Sequence, residues 1–154
     1  MVRLDFPEYK FRIRQTKRGV EIFDIIRKKF VALTPEEWVR RHVVHFLIYD
    51  KNVPAGRMNV ERSIPALNMR RRVDVVVFDQ FAKPLLVVEC KAPEVKITQA
   101  GFDQIARYNM TMNAQFLFVT NGLQHFFCQI DFQNQSYQFL PEILGYQTMC
   151  AMRK

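Results

Sequence analysis

Apolar residues fall along this chain in three rhythms, and each predicts a different element. Phe11, Ile13 and Gln15 alternate with Arg12, Arg14 and Thr16, the period of a half-exposed strand. Lys17, Arg18 and Gly19 make a turn, and residues 20–23 return antiparallel. Ile25, Ile26 and Phe30 then suggest a short helical turn or irregular packing. Thr34 opens the clearest helix: Thr34 suits the N-cap, Pro35 the first helical position and Glu37 the third, a capping box. Val39, Val43, Phe46 and Leu47 recur at helical spacing to about Tyr49. At about 100° per residue, Glu36 shares the side of Val43 and Leu47 and faces the core. Glu37 lies off that stripe and caps the helix.

The third rhythm is the short unbroken run. Residues 73–78 and 85–88 are apolar and rich in Val, too short for helices and suited to buried strands. Residues 79–84 between them hold Asp, Gln, Lys and Pro and form a hairpin loop. Residues 58–64 give a weaker strand before them. Thr98 caps a second helix carrying Phe102, Ile105, Ala106 and Tyr108 to about Met112. Residues 116–120 form a buried strand, Asn121 and Gly122 a turn, and residues 123–130 a return strand. Residues 137–140 make a last short strand. The tail from Pro141 receives no assignment.

Three charges interrupt the Val-rich runs. Asp74 sits inside the first; Glu89 and Lys91 end the second. A lone buried carboxylate is costly, so it is normally paired, metal-bound or neutralised. Side chains alternate along a strand, so Glu89 and Lys91 share a face and Cys90 takes the other. Pairing of the two strands brings Asp74 beside them. The two carboxylates would repel, with Lys91 a partial offset. Two hard oxygen donors suit Mg²⁺, which takes one or two carboxylates and keeps waters for substrate phosphate. A structural ion pair at a sheet end accounts for the same three residues.

The spacing Asp74, then Glu89-Cys90-Lys91, resembles the PD-(D/E)xK nuclease core. The surrounding text resembles the N-terminal nuclease domain of type I restriction enzyme R subunits, in a small stand-alone bacterial form. The residues that carry this are IFDIIRKKFVALTPEEWVR at 22–40, RRVDVVVFD at 71–79, KPLLVVECKAP at 83–93, FDQIARYN at 102–109 and FVTNG at 118–122. Val73 stands where the motif name has Pro. The resemblance implies an α/β fold with a restriction-endonuclease-like core: a mixed central sheet of about four strands flanked by two helices. The four strands start near Met58, Val73, Leu85 and Phe116. It implies a metal-dependent DNA endonuclease using Mg²⁺ or Mn²⁺. Asp74 and Glu89 would hold the metal, with the Cys90 backbone carbonyl a further ligand, and Lys91 would position the attacking water. Glu36 matches the acidic residue that such nucleases carry on the first helix, although a first-turn charge favoured by the helix dipole explains it equally. Gln104 and Tyr108, four apart on one helical face, match a QxxxY element and join the site. DNA is the implied substrate, and other restriction-modification or motor subunits are implied partners. A nucleic-acid-binding or assembly module that keeps the fold without turnover is the alternative.

Composition narrows the rest. At 154 residues the chain is expected to be a single domain, 1–154, with its core at about 22–130. Hydrophobic residues make up 49%, including 14 Phe, which excludes a disordered polar chain. No run is long enough to span a membrane, no apolar signal core precedes residue 11, and three widely spaced cysteines read as reduced thiols, so a cytoplasmic setting is expected. No G-x-x-x-x-G-K-[ST] occurs, so ATP is not an expected ligand. The formal net charge of +8 suits a polyanionic partner. Arg70, Arg71 and Arg72, running directly into Asp74, are the expected nucleic-acid contacts.

Overall fold

The computed structural model describes residues 1–62 and 73–153. Two sheets share one long helix. The small antiparallel sheet is β1 (Ile13–Thr16), β2 (Gly19–Asp24) and β3 (Lys29–Ala32), in that order. Helix α1 (Pro35–Tyr49) follows. The large sheet then runs β4 (Met58–Arg62), β5 (Val73–Phe78), β6 (Pro84–Cys90), β7 (Phe116–Thr120), β8 (His125–Asp131) and β9 (Ser136–Phe139), each beside the next. Helix α2 (Gln99–Met112) joins β6 to β7, the one parallel pair among the described strands, and α3 (Tyr146–Ala151) follows β9. The mixed α/β architecture follows the expectation. The sheet has six strands rather than about four, because the β8–β9 hairpin continues the central sheet through the Phe118↔Phe127 pairing. Residues 29–32 form a strand rather than a helical turn, since their edge pairs with β2 from Glu21↔Ala32 to Asp24↔Lys29.

Alternation divides the core in two. Val75, Val77, Leu86, Val88, Cys90, Phe116 and Phe118 face α1 and meet Val39, Val43, Val44 and Leu47. Val76, Val87, Leu117 and Val119 face α2 and meet Phe102, Ala106 and Met112. Central strands buried on both faces read as continuous apolar runs, which is why β5, β6 and β7 stand out in the sequence. Thr34 caps α1 as expected, its hydroxyl accepting the Glu37 amide at 3.1 Å.

The expected phase of α1 is wrong by one residue. Glu37 is 5% exposed, whereas the Glu36 side chain is 49% exposed. An amphipathic stripe locates the core side only when solvent covers the rest of a helix. Here α1 is wrapped on more than one side. Buried Ile22 belongs to the small sheet. The amino-terminal segment adds aromatic rings, with Phe11 4.7 Å from His42 and 4.6 Å from His45 between centroids. The Trp38 indole donates to the Val2 carbonyl at 2.7 Å.

His45 gives this packing a pH signature. Burial lowers its pKa to about 4, helped by Arg41 and His42 and opposed by Asp24. His42 is lowered too, chiefly by burial. The unfolded chain therefore takes up these protons first, so stability is full above about pH 6.5 and declines as pH falls toward about 4. We expect His45→Phe to remove part of that acid sensitivity, because its buried Nε2 has no hydrogen-bond partner to lose among the described residues. Urea denaturation at pH 7 and pH 4.5 checks it: wild type should lose on the order of 2 kcal/mol more than the variant across that interval.

Candidate functional site

A chain of buried charges leads from the small sheet to the end of the large one. Asp24, fully buried at the end of β2, accepts the amides of Ile26 and Arg27 at 2.8 and 3.0 Å and pairs with the Arg27 guanidinium. Arg41 Nη1 meets Asp24 Oδ1 at 2.6 Å, and Arg41 Nε meets Glu37 Oε1 at 3.0 Å. Burial alone would raise the Asp24 pKa, but Arg41 and the Arg27 and Ile26 hydrogen bonds outweigh it, and the carboxyl ends below its usual value. Glu37 also bonds Arg40, and Arg40 Nη2 donates to Asp74 Oδ1 at 2.8 Å. Burial works against the Arg40 charge, yet Asp74 and Glu37 together raise its pKa above the ordinary value.

Asp74 thus enters from the first strand turn of β5 and is fixed on both sides. Its Oδ2 accepts the Cys90 amide of β6 at 2.8 Å. One step beyond the paired residues Val75 and Val88 lie Asp74 and Glu89, so the two carboxylates leave adjacent strands at one level. Lys91 Nζ stands 3.4 Å from Glu89 Oε1, as their shared parity requires. Cys90 turns to the α1 side, fully buried. Its thiol pKa is pushed well up by burial first and then by Asp74, with Glu89 and Glu36 adding and Arg40 opposing. A neutral buried thiol is neither nucleophile nor metal ligand, which leaves only its backbone for such a role.

A cleft of about 350 Å³ opens onto Asp74 between β3 and the first turn of α1, with Arg27, Glu36, Glu37 and Arg40 in its walls. Glu36 therefore reaches the site's edge from the exposed side of α1, 3.4 Å from Arg40, while Glu37 takes the inward place expected of Glu36. The expected repulsion between Asp74 and Glu89 is offset by Arg40 on one side and Lys91 on the other. Gln104 and Tyr108 share a face of α2 but are exposed, and among the described residues neither hydrogen-bonds Lys91. The Arg70, Arg71 and Arg72 group lies outside the described residues. Asp24 and Arg41 escaped the sequence reading, and Glu37 entered it only as a cap. The available signal was the spacing Glu37, Arg40, Arg41, which puts three charges on one side of a helix whose neighbours are apolar.

Asp79, at the other end of β5, shows what a purely structural carboxylate looks like. Its Oδ1 accepts the Phe81 and Lys83 amides at 2.8 and 3.0 Å, and its Oδ2 meets Arg153 at 3.0 Å, closing the hairpin and tying down the tail. Asp74 accepts one bond per oxygen and keeps an acceptor site on each. Among the described residues no three His, Cys, Asp or Glu side chains gather as a metal cage. Mg²⁺ commonly needs only one or two carboxylates with water, a number that Asp74 and Glu89 on adjacent strands supply.

The fold and site define an α/β domain with paired acidic residues and a lysine at the end of a mixed sheet. Residues 35–143 match the family described as type I restriction enzyme R protein N terminus, and the chain belongs to that family. No curated protein matches it. Among solved structures, a fragment of an HsdR subunit of a type I restriction enzyme from Vibrio vulnificus YJ016 is similar at 22% identity and a TM-score of 0.47, over 77% of this chain. The chain spans about a quarter of that fragment's length, 25%.

The buried ion chain makes a stability prediction. Removing one partner weakens the compensation of the others, so Arg41→Leu should cost about 3–5 kcal/mol in urea denaturation by leaving buried Asp24 and Glu37 each short of one cation. Adding Asp24→Asn to it should recover part of that loss, since it removes one of the two carboxylates left short of a cation.

Proposed function

We propose that this domain is a Mg²⁺-dependent nuclease that hydrolyses DNA phosphodiester bonds at Asp74, Glu89 and Lys91. The observation that carries the reading is the joint arrival of Asp74 and Glu89 from adjacent strands with Lys91 3.4 Å from Glu89, in a chain of the type I R protein family. Asp74 and Glu89 hold the ion, with the Cys90 carbonyl as a third oxygen. When bound, Mg²⁺ supplies Lewis acidity toward the phosphate and its attacking water. Lys91, with a side chain 35% exposed, reaches substrate, orients the water for in-line attack and offsets the negative charge that builds on the phosphate. Glu36, which lines the cleft, takes up a proton from that water. Gln104 and Tyr108 contact DNA from the exposed side of α2 rather than the ion, and Arg70, Arg71 and Arg72 contact its backbone. The domain works with other restriction-modification subunits, which supply sequence reading and translocation.

One observation favours a second reading. Arg40 already neutralises Asp74, which is the arrangement expected of a binding or assembly module that needs no metal. Glu89→Gln separates the two readings better than a change at Asp74, which would also break the buried Arg40 pair. In wild type, Mn²⁺ at a hundredfold excess over Kd should stabilise by about 2.7 kcal/mol, a melting shift on the order of 5–10 °C. Glu89→Gln should lose that shift with little change without metal. Lys91→Ala should abolish Mn²⁺-dependent nicking of plasmid DNA while leaving DNA affinity nearly intact, because affinity comes mainly from spread phosphate contacts. A wild-type protein that neither shifts nor cuts would decide for the binding module.

A further inference from the structure

The cation at Asp74 is the one feature of the site that nuclease chemistry leaves unexplained. Arg40 is buried at 5% exposure and bonds Asp74 at 2.8 Å, Glu36 at 3.4 Å and Glu37. It faces the same cleft as Asp74. We propose that Arg40 is a positioning residue that acts as an internal counter-ion, holding Asp74 in place without metal and setting the affinity for the divalent ion through competition for that carboxylate. The inference rests on the metal-dependent reading above.

The argument is one of charge and geometry. A carboxylate at the open end of a sheet, with no cation beside it, would be desolvated at a cost or would swing toward water. Arg40 prevents both, and the Cys90 amide fixes the second oxygen. The same guanidinium lowers the negative potential that a divalent ion sees at Asp74. Glu37 divides the Arg40 charge between two carboxylates, and Arg41 and Arg27 in turn meet Glu37 at 3.0 and 3.5 Å. Metal binding is then coupled to the ion chain that reaches back to Asp24 in the small sheet. Because Glu37 draws Arg40 away from Asp74, loss of Glu37 and loss of Arg40 should act on the ion in opposite directions. A merely structural role for either residue would weaken metal binding in both variants.

Isothermal titration of the metal-free full chain with Mn²⁺, together with melting temperatures without metal, tests this. Arg40→Gln should bind Mn²⁺ about fivefold or more tighter than wild type, and Glu37→Gln about fivefold weaker, from one unit charge gained or uncovered near the ion. Both variants should melt below wild type without metal, and Arg40→Lys, which keeps the charge, should restore an affinity near that of wild type. Arg40→Gln binding as wild type or more weakly overturns the inference while leaving the metal reading in place. If Arg40→Gln does not fold, the Glu37→Gln and Arg40→Lys pair carries the decision: Glu37→Gln equal to or tighter than wild type, or Arg40→Lys far from it, overturns the proposal. No Mn²⁺ heat in any of the proteins sinks the metal-dependent reading and this inference with it.

Discussion

Every charged group that matters here is held by another charge inside the protein. Asp24, Arg41, Glu37, Arg40 and Asp74 alternate in sign from the end of β2 to the start of β5. Such a series is expensive to bury and is kept only when each member is neighboured by its opposite. It therefore fixes three elements at once. The turn after β2 is set by the Asp24 amide bonds, the rotation of α1 by Glu37, Arg40 and Arg41, and the start of β5 by Asp74. The aromatic cover packs on another side of α1, against Trp38, His42 and His45.

Much of this was legible in the chain, and the boundary of legibility has physical causes. β5, β6 and β7 were readable because strands covered on both faces must be apolar throughout. The ends of α1 and α2 were readable because Thr34 and Thr98 each offer a hydroxyl to an unpaired amide. Asp74, Glu89 and Lys91 were visible as charges where the pattern forbade them. The rotation of α1 was not readable, since a stripe cannot say what a second sheet and an aromatic arm will cover. β3 was missed for a related reason: as an edge strand it pairs on one side only, and its four residues, Lys29 to Ala32, carry no clear alternation. The Arg40–Asp74 contact spans 34 positions, and no local spacing encodes a pairing at that distance.

The two aspartates of β5 show how one residue type serves two ends of one strand. Asp79 closes a hairpin whose Ala82 adopts φ 61°, a conformation few side chains favour, and its oxygens are used by two amides, Arg153 and the geometry of the turn itself. Asp74 is less deeply buried, 9% exposed against 2%, and its partners are one amide and one guanidinium on a different element. A turn bond cannot be exchanged without unfolding the turn. A side-chain partner on a helix can be exchanged by rotating that side chain. Both the kind of partner and the greater exposure leave Asp74 the carboxylate whose contacts can change without unfolding a turn.

The position of the site follows from topology. β6 and β7 are the only parallel pair among the described strands, and a parallel pair needs a crossover helix, here α2. Crossovers leave the carboxyl ends of their strands facing a crevice where ligands commonly bind. Glu89 and Lys91 lie at that end of β6, and Lys91 donates its amide to the Thr120 carbonyl of β7 at 2.9 Å. Antiparallel β5 arrives at the same end with its first residues, which delivers Asp74. Beyond the strands, the Asn121 amide holds the Val95 carbonyl at 3.0 Å, so the loop leaving Lys91 is pinned to the β7–β8 turn. Gly122 sits in that turn at φ 87°, and a Cβ there would come within 2.7 Å of the Leu4 side chain, so any other residue would strain the backbone and displace Leu4. The same turn therefore anchors both the amino-terminal arm over α1, through the Asp5 amide on the Gly122 carbonyl at 2.7 Å, and the loop behind Lys91.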